Sequence, residues 1–391
     1  MVSVWSVSAA EEPGAKARVT IGWPEGTWVM TVVSQTEGRT TIAGEEVPSS
    51  DRSTQVWQID VARPDDKGEK RAKMQLVEIR SEGQSGGEAY RYDSRGGGEQ
   101  KGGHDFVYKP LMAAEVIVTL DADDTVIETA GLSKLWDELA GKVATDEQKS
   151  LVAEMKTGMS DRSFEAQFRR LESLMPKSQV AVGDTWKSGV RLDLPIIGEL
   201  KARYDCKLAA LEKSADGDLA VIEASSHYAQ SSPKASSMMG VDVALNKVDL
   251  EEKASLAVSR RTGLAVRDES RRIATIAGKA TAEGEEREFA SRTTTMTTTL
   301  VPGLWKPGKP VGLPPALDQP GWRPDLQQRR NLRPQPGPGA QQAGVAAHAG
   351  APEVTGALAT ASAWICLTCG HLPPCGRWSH TLAQRRGPAT S

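Results

Sequence analysis

The stretch Gln55-Val56-Trp57-Gln58-Ile59-Asp60-Val61 decides the fold class of this sequence. Its apolar residues Trp57, Ile59 and Val61 alternate with polar ones, and this period of two is typical of a β-strand that buries one face. Residues 28–33 form a β-branched and aromatic run just upstream. The sequence therefore predicts β-strands at both places.

The same pattern continues through residues 17–130, which we expect to form a first antiparallel β meander. Strand-like runs at 73–80 and 88–92 are separated by a glycine-rich turn. The runs at 115–120 and 125–129 flank the turn Asp121-Ala122-Asp123-Asp124, and a polar four-residue turn between two strands predicts a hairpin.

Residues 131–176 change to a helical period and are predicted to be a short helical insert. Leu132, Leu135, Trp136 and Leu139 recur on one helical face, and Gly141 follows as a C-terminal stop. A later stripe of Phe164, Phe168, Leu171 and Leu174 ends before Pro176. We expect these apolar faces to pack onto the sheets.

Residues 177–302 return to a β pattern and predict a second meander. Residues 256–258 and 264–266 flank a turn containing Gly263, and the threonine-rich run 287–301 closes the unit. The predicted fold class is therefore α+β: mostly antiparallel β meanders with a short helical insert, followed by a disordered C-terminal tail.

The N-terminal residues 1–16 predict export. The short apolar run that ends in Val7-Ser8-Ala9, ahead of an acidic stretch, is typical of the end of a secretory signal peptide. The basic start of such a peptide is missing, so an untargeted, frayed terminus is the alternative. We expect an exported protein that is periplasmic or associated with the cell envelope.

Residues 303–391 differ in composition from the rest of the chain and are predicted to be a low-complexity, disordered tail. From Lys306 onward there are 13 Pro and 11 Gly in 86 residues. The tail carries a net charge of +6 and the whole chain −3, so residues 1–305 carry −9. An acidic body argues against a nucleic-acid partner, which needs clustered Lys and Arg.

Four residues of this tail, Cys366, Cys369, Cys375 and His380, have the types and spacing of a tetrahedral zinc set. Against zinc, the sequence from Pro310 onward contains no Lys, Phe or Tyr and only one Ile. Residues with GC-rich codons dominate, as they do when a gene is translated out of frame. This composition favours an unstructured or out-of-frame tail over a zinc site.

Other residues offer weaker signals for chemistry. Ser85 lies in a Gly-x-Ser-x-Gly sequence, but a strand follows where a serine hydrolase needs a helix, and only His104 and His227 are available in the body as bases. The acidic pairs in the turns 121–124 and 216–218 favour local hydrogen bonds over calcium. Cys206 lies alone in the body and is interpreted as a small buried hydrophobe.

The motif Val182-Gly183-Asp184-Thr185-Trp186 opens the second meander. Together with Gly131-Leu132 and Tyr92-Asp93-Ser94, it resembles an uncharacterised family of exported planctomycete-type bacterial proteins. The resemblance covers roughly residues 17–302. The family is a domain of unknown function, so the resemblance implies export and a β-rich fold, and it implies no reaction.

The sequence shows neither a catalytic motif nor a cofactor motif, and it contains no run of 18 apolar residues for a membrane helix. We expect a non-enzymatic binding or structural module of the bacterial envelope or periplasm. The sequence leaves its partner open, with an apolar ligand and an envelope partner as the candidates. One alternative is a carrier whose curved sheet holds an apolar ligand under the helical insert. Such a carrier requires a cavity of about 300 Å³ or more. A hydrolase with a site that the sequence does not reveal is the other alternative.

Overall fold

The computed structural model describes residues 16–301. Short gaps fall at 86–87, 97–104, 146–147, 150–151, 154, 157–158, 195–197, 215–216, 233–234, 239–240 and 283–284. The strands are β1 Gly26–Ile42, β2 Glu45–Val61, β3 Lys70–Ser85, β4 Glu88–Asp93, β5 Val116–Leu120, β6 Val126–Ala130, β7 Thr185–Leu194, β8 Gly198–Ser214, β9 Gly217–Ser232, β10 Ala235–Met238, β11 Val241–Ser259, β12 Ala265–Ala282 and β13 Glu285–Leu300. The helices with described bounds are α1 Asp105–Ala113, α2 Leu132–Ala140 and α3 Asp161–Ser173.

All thirteen strands belong to one antiparallel sheet in the order β6-β5-β3-β2-β1-β13-β12-β11-β9-β8-β7, with β4 beside β3 and β10 beside β11. The predicted β-rich fold with antiparallel strands and short helices is confirmed. The strands of the two predicted meanders, however, join through β1 and β13, which pair from Thr31↔Leu300 to Ile42↔Phe289. This pairing satisfies the backbone N–H and C=O groups of two strands that would otherwise be sheet edges.

The strands are longer than the sequence pattern indicates. β1 and β2 are 17 residues each and form one hairpin, whereas the alternating pattern reveals only 28–33 and 55–61. Ala43 and Gly44 both have positive φ angles, 49° and 89°, as a two-residue hairpin turn of type I′ requires. The polar residues between the two apolar runs remain in the sheet because they pair with each other; Ser34 and Ser53, for example, are buried with their hydroxyl oxygens 2.8 Å apart.

The helices begin and end through specific hydrogen bonds. The predicted stop of α2 at Gly141 is confirmed, since the Gly141 N–H donates to the Asp137 carbonyl at 3.2 Å and the Lys142 N–H to the Leu139 carbonyl at 2.9 Å. At the start of α2, the Asp161 carboxylate accepts hydrogen bonds from the Leu132 and Ser133 N–H groups at 2.8 and 3.1 Å. The first residue of α3 therefore caps α2. Helix α1, which contains Pro110, was not predicted.

The Val182–Trp186 motif fastens β7 to its surroundings. Gly183 has a φ of 96°, and its N–H donates to the Leu208 carbonyl at 2.8 Å. The Trp186 indole N–H donates to the Leu174 carbonyl at the end of α3, at 3.1 Å. The motif therefore has a structural role, because it holds the edge of the sheet against the end of α3, the helix that also covers the cavity described next.

A candidate ligand cavity under helix α3

A cavity of about 140 Å³ lies between α3 and the face of the sheet that carries Trp57, here called the inner face. Strands β2, β1, β13 and β12 form its floor, α3 forms its roof, and residues 21–23 and 264–265 close one side. Protein interiors contain few voids larger than a water molecule. A void of this size at an interface between elements is therefore a candidate site. Its aromatic lining residues are Trp23, Trp28, Trp57, Phe164 and Phe168.

The aromatic residues reach the cavity through the regular periods of their elements. Trp28 and Met30 alternate along β1 and lie opposite Ile59 and Trp57 of β2, so all four side chains share the inner face. On α3, Phe164 and Phe168 are one helical turn apart and project from the same side. The helical stripe that the sequence predicts as a core face therefore forms the roof of the cavity.

The rings contact one another across the cavity. Trp57 and Phe164 join the floor to the roof with ring centroids 5.5 Å apart. Trp23 contacts Phe168 edge-on at 5.1 Å and Trp28 at 5.7 Å. Such tilted and edge-to-face arrangements stabilise aromatic pairs beyond the burial of their surface. These contacts hold the aromatic wall of the cavity in place.

The opposite end of the cavity is polar and rests on a buried ionic network. Arg170 of α3 donates from Nε to Glu252 at 2.9 Å and from Nη1 to Asp268 Oδ2 at 2.9 Å. Arg272 lies opposite Glu252 in the sheet and contacts it at 3.3 Å. Tyr228 donates its hydroxyl to the second oxygen of Glu252 at 2.5 Å. Two cations and two carboxylates thus neutralise each other in the interior.

The network keeps its central carboxylate ionised. Burial by itself would raise the pKa of Glu252, but the charges of Arg170 and Arg272 outweigh burial and lower it to about 2. Burial and the adjacent Glu252 raise the pKa of the Tyr228 hydroxyl well above its ordinary value. Tyr228 therefore remains a neutral donor, and the network has no net charge at neutral pH.

Two buried polar atoms of residues that line the cavity have no hydrogen-bond partner among the described residues: the indole Nε1 of Trp28 and the Oδ1 oxygen of Asp268. A buried polar atom without a partner costs about 1–3 kcal/mol. Native proteins leave few such atoms.

A second buried acid, Asp51, lies on β2 six residues from Trp57 and does not line the cavity. Asp51 accepts hydrogen bonds from the Tyr90 hydroxyl and, at 3.2 Å, from the Ser81 hydroxyl. Burial raises the pKa of Asp51 to about 7, against the lowering effect of these two hydrogen bonds. Asp51 is therefore a group that titrates near neutral pH, and the sequence gives no sign of it.

Two sequence candidates in the described part of the chain, His227 and Cys206, do not line the cavity. The residues of the predicted zinc set, Cys366, Cys369, Cys375 and His380, lie outside the described residues, as does His104. His227 is on the outer face of β9 with a 65% exposed side chain, 3.6 Å from Asp249. Cys206 is 2% exposed in the core, and burial raises the pKa of its thiol to about 11, in agreement with the predicted small hydrophobe.

The acidic turn at 121–124 makes local hydrogen bonds, as predicted. Asp121 Oδ1 accepts from the N–H groups of Asp123 and Thr125 at 2.9 Å each. Asp124 pairs with Lys70 at 2.5 Å and accepts from the Trp23 N–H at 3.2 Å, which fixes the segment beside the cavity. Within the described part of residues 16–301, no group of three or more His, Cys, Asp or Glu side chains is arranged to hold a metal ion.

Fold and site together define a β-rich protein with a small aromatic cavity above a neutral ionic network. Residues 67–265 match the model of a family of unknown function, DUF6263, and the chain belongs to this family. The matched range includes the Val182–Trp186 motif and is narrower than the predicted 17–302. The expectation of a family without an assigned function is confirmed.

Solved structures show only distant similarity. An outer membrane channel from Pseudomonas putida F1 is 8% identical, with 74% of this chain and 99% of the channel covered and a TM-score of 0.19. Pseudomonas aeruginosa OccK5 is 7% identical, with 73% and 100% covered and a TM-score of 0.24. The translocator domain of the autotransporter NalP from Neisseria meningitidis is 10% identical, with 71% and 89% covered and a TM-score of 0.14. Similarities this weak support no conclusion about the fold or the function of this chain.

No curated protein sequence matches the chain. Among the helices of the described residues, none has the length and apolar content needed to cross a bilayer.

Proposed function

We propose that this protein is an exported, non-enzymatic binding module that holds one small, mainly apolar molecule in the cavity under α3. The observation that supports the proposal is a cavity of about 140 Å³ with aromatic rings on both its floor and its roof. Ligand sites are typically apolar hollows with a few placed polar groups. Arg170, Asp268 and Thr299 are polar residues in the lining of this cavity.

The volume limits the size of the ligand. A lipid carrier requires a cavity of about 300 Å³ or more, and this cavity is less than half of that. An engineered apolar cavity of about 150 Å³ binds benzene. The space under α3 therefore suits a molecule with about one ring, and we do not propose a carrier of long acyl chains.

The export part of the proposal rests on the signal-like residues 1–13 of the sequence. A small-molecule binding module outside the cytoplasm is consistent with the acidic body and with the sequence-based expectation of a periplasmic or envelope protein.

Toluene tests the proposal directly as a probe. At a toluene concentration of ten times its dissociation constant, binding to the native state should stabilise the full chain by about 1.4 kcal/mol. The increase in melting temperature and a change in the fluorescence of Trp23, Trp28 and Trp57 would report it.

The variant Val32→Phe fills the cavity and should abolish both signals, because Val32 lines the cavity floor on β1. Val77→Phe is the matched control, since Val77 is 39% exposed on β3 and does not line the cavity. The proposal is wrong if toluene leaves the wild type unchanged, or if V32F and V77F respond equally.

A further inference from the structure

Five aromatic side chains of the cavity wall form one continuous series of contacts. The series runs from Trp28 on the floor through Trp23 at the side to Phe168 on the roof, with ring centroids 5.7 and 5.1 Å apart. It continues from Phe168 to Phe164 at 5.6 Å and returns to the floor at Trp57, at 5.5 Å. All five residues line the cavity, so aromatic rings lie on its floor, its side and its roof.

The rings of this series are tilted against one another. The four pairs have interplanar angles between 51° and 76°. An aromatic ring has a negative face and a positive edge, so such tilted pairs are favourable. A ligand ring in the cavity can meet the rings of the wall in the same arrangement, whereas a saturated ring has no polarised face or edge to offer. The wall therefore distinguishes aromatic from saturated hydrocarbons.

The charged residues that line the cavity, Arg170, Arg272 and Asp268, are already paired. Arg170 contacts Glu252 and Asp268 at 2.9 Å each. Arg272 contacts Glu252 at 3.3 Å. A charged group on the ligand would therefore be buried without a counter-charge of its own, and burying such a charge is costly. This favours an uncharged ligand.

We propose that the ligand is an uncharged aromatic compound of one ring, and that this ring makes tilted contacts with the aromatic wall, including Phe168 of the roof. The cavity of about 140 Å³ has room for one such ring, since an engineered apolar cavity of about 150 Å³ binds benzene. This assignment rests on the proposed binding function and adds the chemical class of the ligand.

Benzene and cyclopentane test the aromatic part of the assignment, because they are uncharged rings of nearly the same volume. Each is titrated calorimetrically into the full chain at pH 7. Burial of apolar surface alone gives benzene no advantage. One aromatic pair contributes about two- to tenfold in affinity, so benzene, which can form more than one such pair, should bind about fivefold or more tightly than cyclopentane. Toluene, benzylamine and benzoate test the charge, and the two charged probes should bind more weakly than toluene.

The outcomes separate the two proposals. If benzene binds and cyclopentane binds equally well or better, the aromatic assignment is wrong and the binding function stands. Tighter binding of benzylamine or benzoate than of toluene also overturns the assignment. If none of the five probes binds, the proposed function itself fails.

Two variants locate the aromatic contact. Phe168→Leu removes one ring of the roof and keeps an apolar side chain, so it should reduce the preference for benzene over cyclopentane severalfold. Phe106→Leu is the matched control and should leave the preference unchanged, since Phe106 of α1 packs against the same hydrophobic cluster as Trp57 but does not line the cavity. An unchanged preference in F168L, or an equal loss in F106L, would overturn the assignment. Cyclopentane binding shows that each variant keeps the cavity; if F168L does not fold, the wild-type series decides.

Discussion

Glu252 is the residue whose neutralisation should destabilise the fold most clearly. Its side chain is 1% exposed and lies between Arg170 and Arg272, which are 12% and 11% exposed. Glu252→Gln keeps the shape and removes the charge, so the two buried guanidinium groups would lose the carboxylate that they share, while Arg170 would still pair with Asp268. Removing one partner of a buried ion pair typically costs about 3–5 kcal/mol.

The lowered pKa of Glu252 corresponds to a stabilisation of similar size. The arginines lower the pKa from 4.5 to about 2, against the effect of burial. This difference corresponds to roughly 3 kcal/mol between the ionised and the protonated carboxyl. Because the folded-state pKa lies below the unfolded one, the stabilisation is fully present above pH 4.5 and is lost as the pH falls towards 2.

Urea unfolding at pH 7 measures the free energy of unfolding of wild type and of E252Q. If the slope of this free energy against urea concentration is the same for both proteins, the shift of the midpoint gives the difference in stability. Glu251→Gln is the matched control, because Glu251 is the adjacent residue and is exposed. The control should stay within about 0.5 kcal/mol of wild type. A loss below about 1 kcal/mol for E252Q, or an equal loss for E251Q, would refute the reasoning that this network stabilises the fold.

Two further predictions concern stability. Because burial raises the pKa of Asp51 from 3.8 to about 7, the ionised form opposes folding, and wild-type stability should fall as the pH rises between these values. Asp51→Asn removes this dependence on pH. Urea unfolding should therefore show that the free energy of unfolding of D51N, relative to that of wild type, increases by about 1–4 kcal/mol from pH 4 to pH 8. A difference between the two proteins that stays constant with pH would contradict the raised pKa of Asp51. Gly131→Ala should destabilise by about 2–3 kcal/mol, since Gly131 has a φ of 121° and an added Cβ would lie 2.2 Å from the Glu115 carbonyl. Gly183→Ala is the control for this variant, because Gly183 has a φ of 96° but open space around an added Cβ. Thermal unfolding should show that G183A loses less stability, about 1–2 kcal/mol. Equal losses in G131A and G183A would rule out the close approach at Gly131.

Local periodicity in the sequence was sufficient to predict elements that form from neighbouring residues. The alternation at 55–61 predicted a strand that lies within β2, and the stripe from Leu132 to Leu139 predicted α2. The end of α2 at Gly141 was predictable as well, because its cap forms with the last turn of the same helix. Such features depend on residues a few positions apart.

The polar half of the first hairpin could not be predicted in this way. Residues 34–54 alternate little in hydropathy, and they belong to strands because hydroxyl groups such as those of Ser34 and Ser53 meet across the hairpin. Helix α1 was also missed, since Pro110 within it argues against a helix. Tertiary packing, which buries Val107, Tyr108 and Leu111, decides its structure instead.

The sequence by itself determined a β-rich fold with short helices and a family without an assigned function. Only the tertiary structure decided that β1 and β13 join the two halves into one sheet, and that Arg170 on a helix meets Glu252 on a strand 82 residues away. The cavity has the same origin, because its walls come from four strands and a helix that are far apart in the chain. A single sequence carries no local signal for which distant segments meet, since burial and charge compensation act only after the chain has folded.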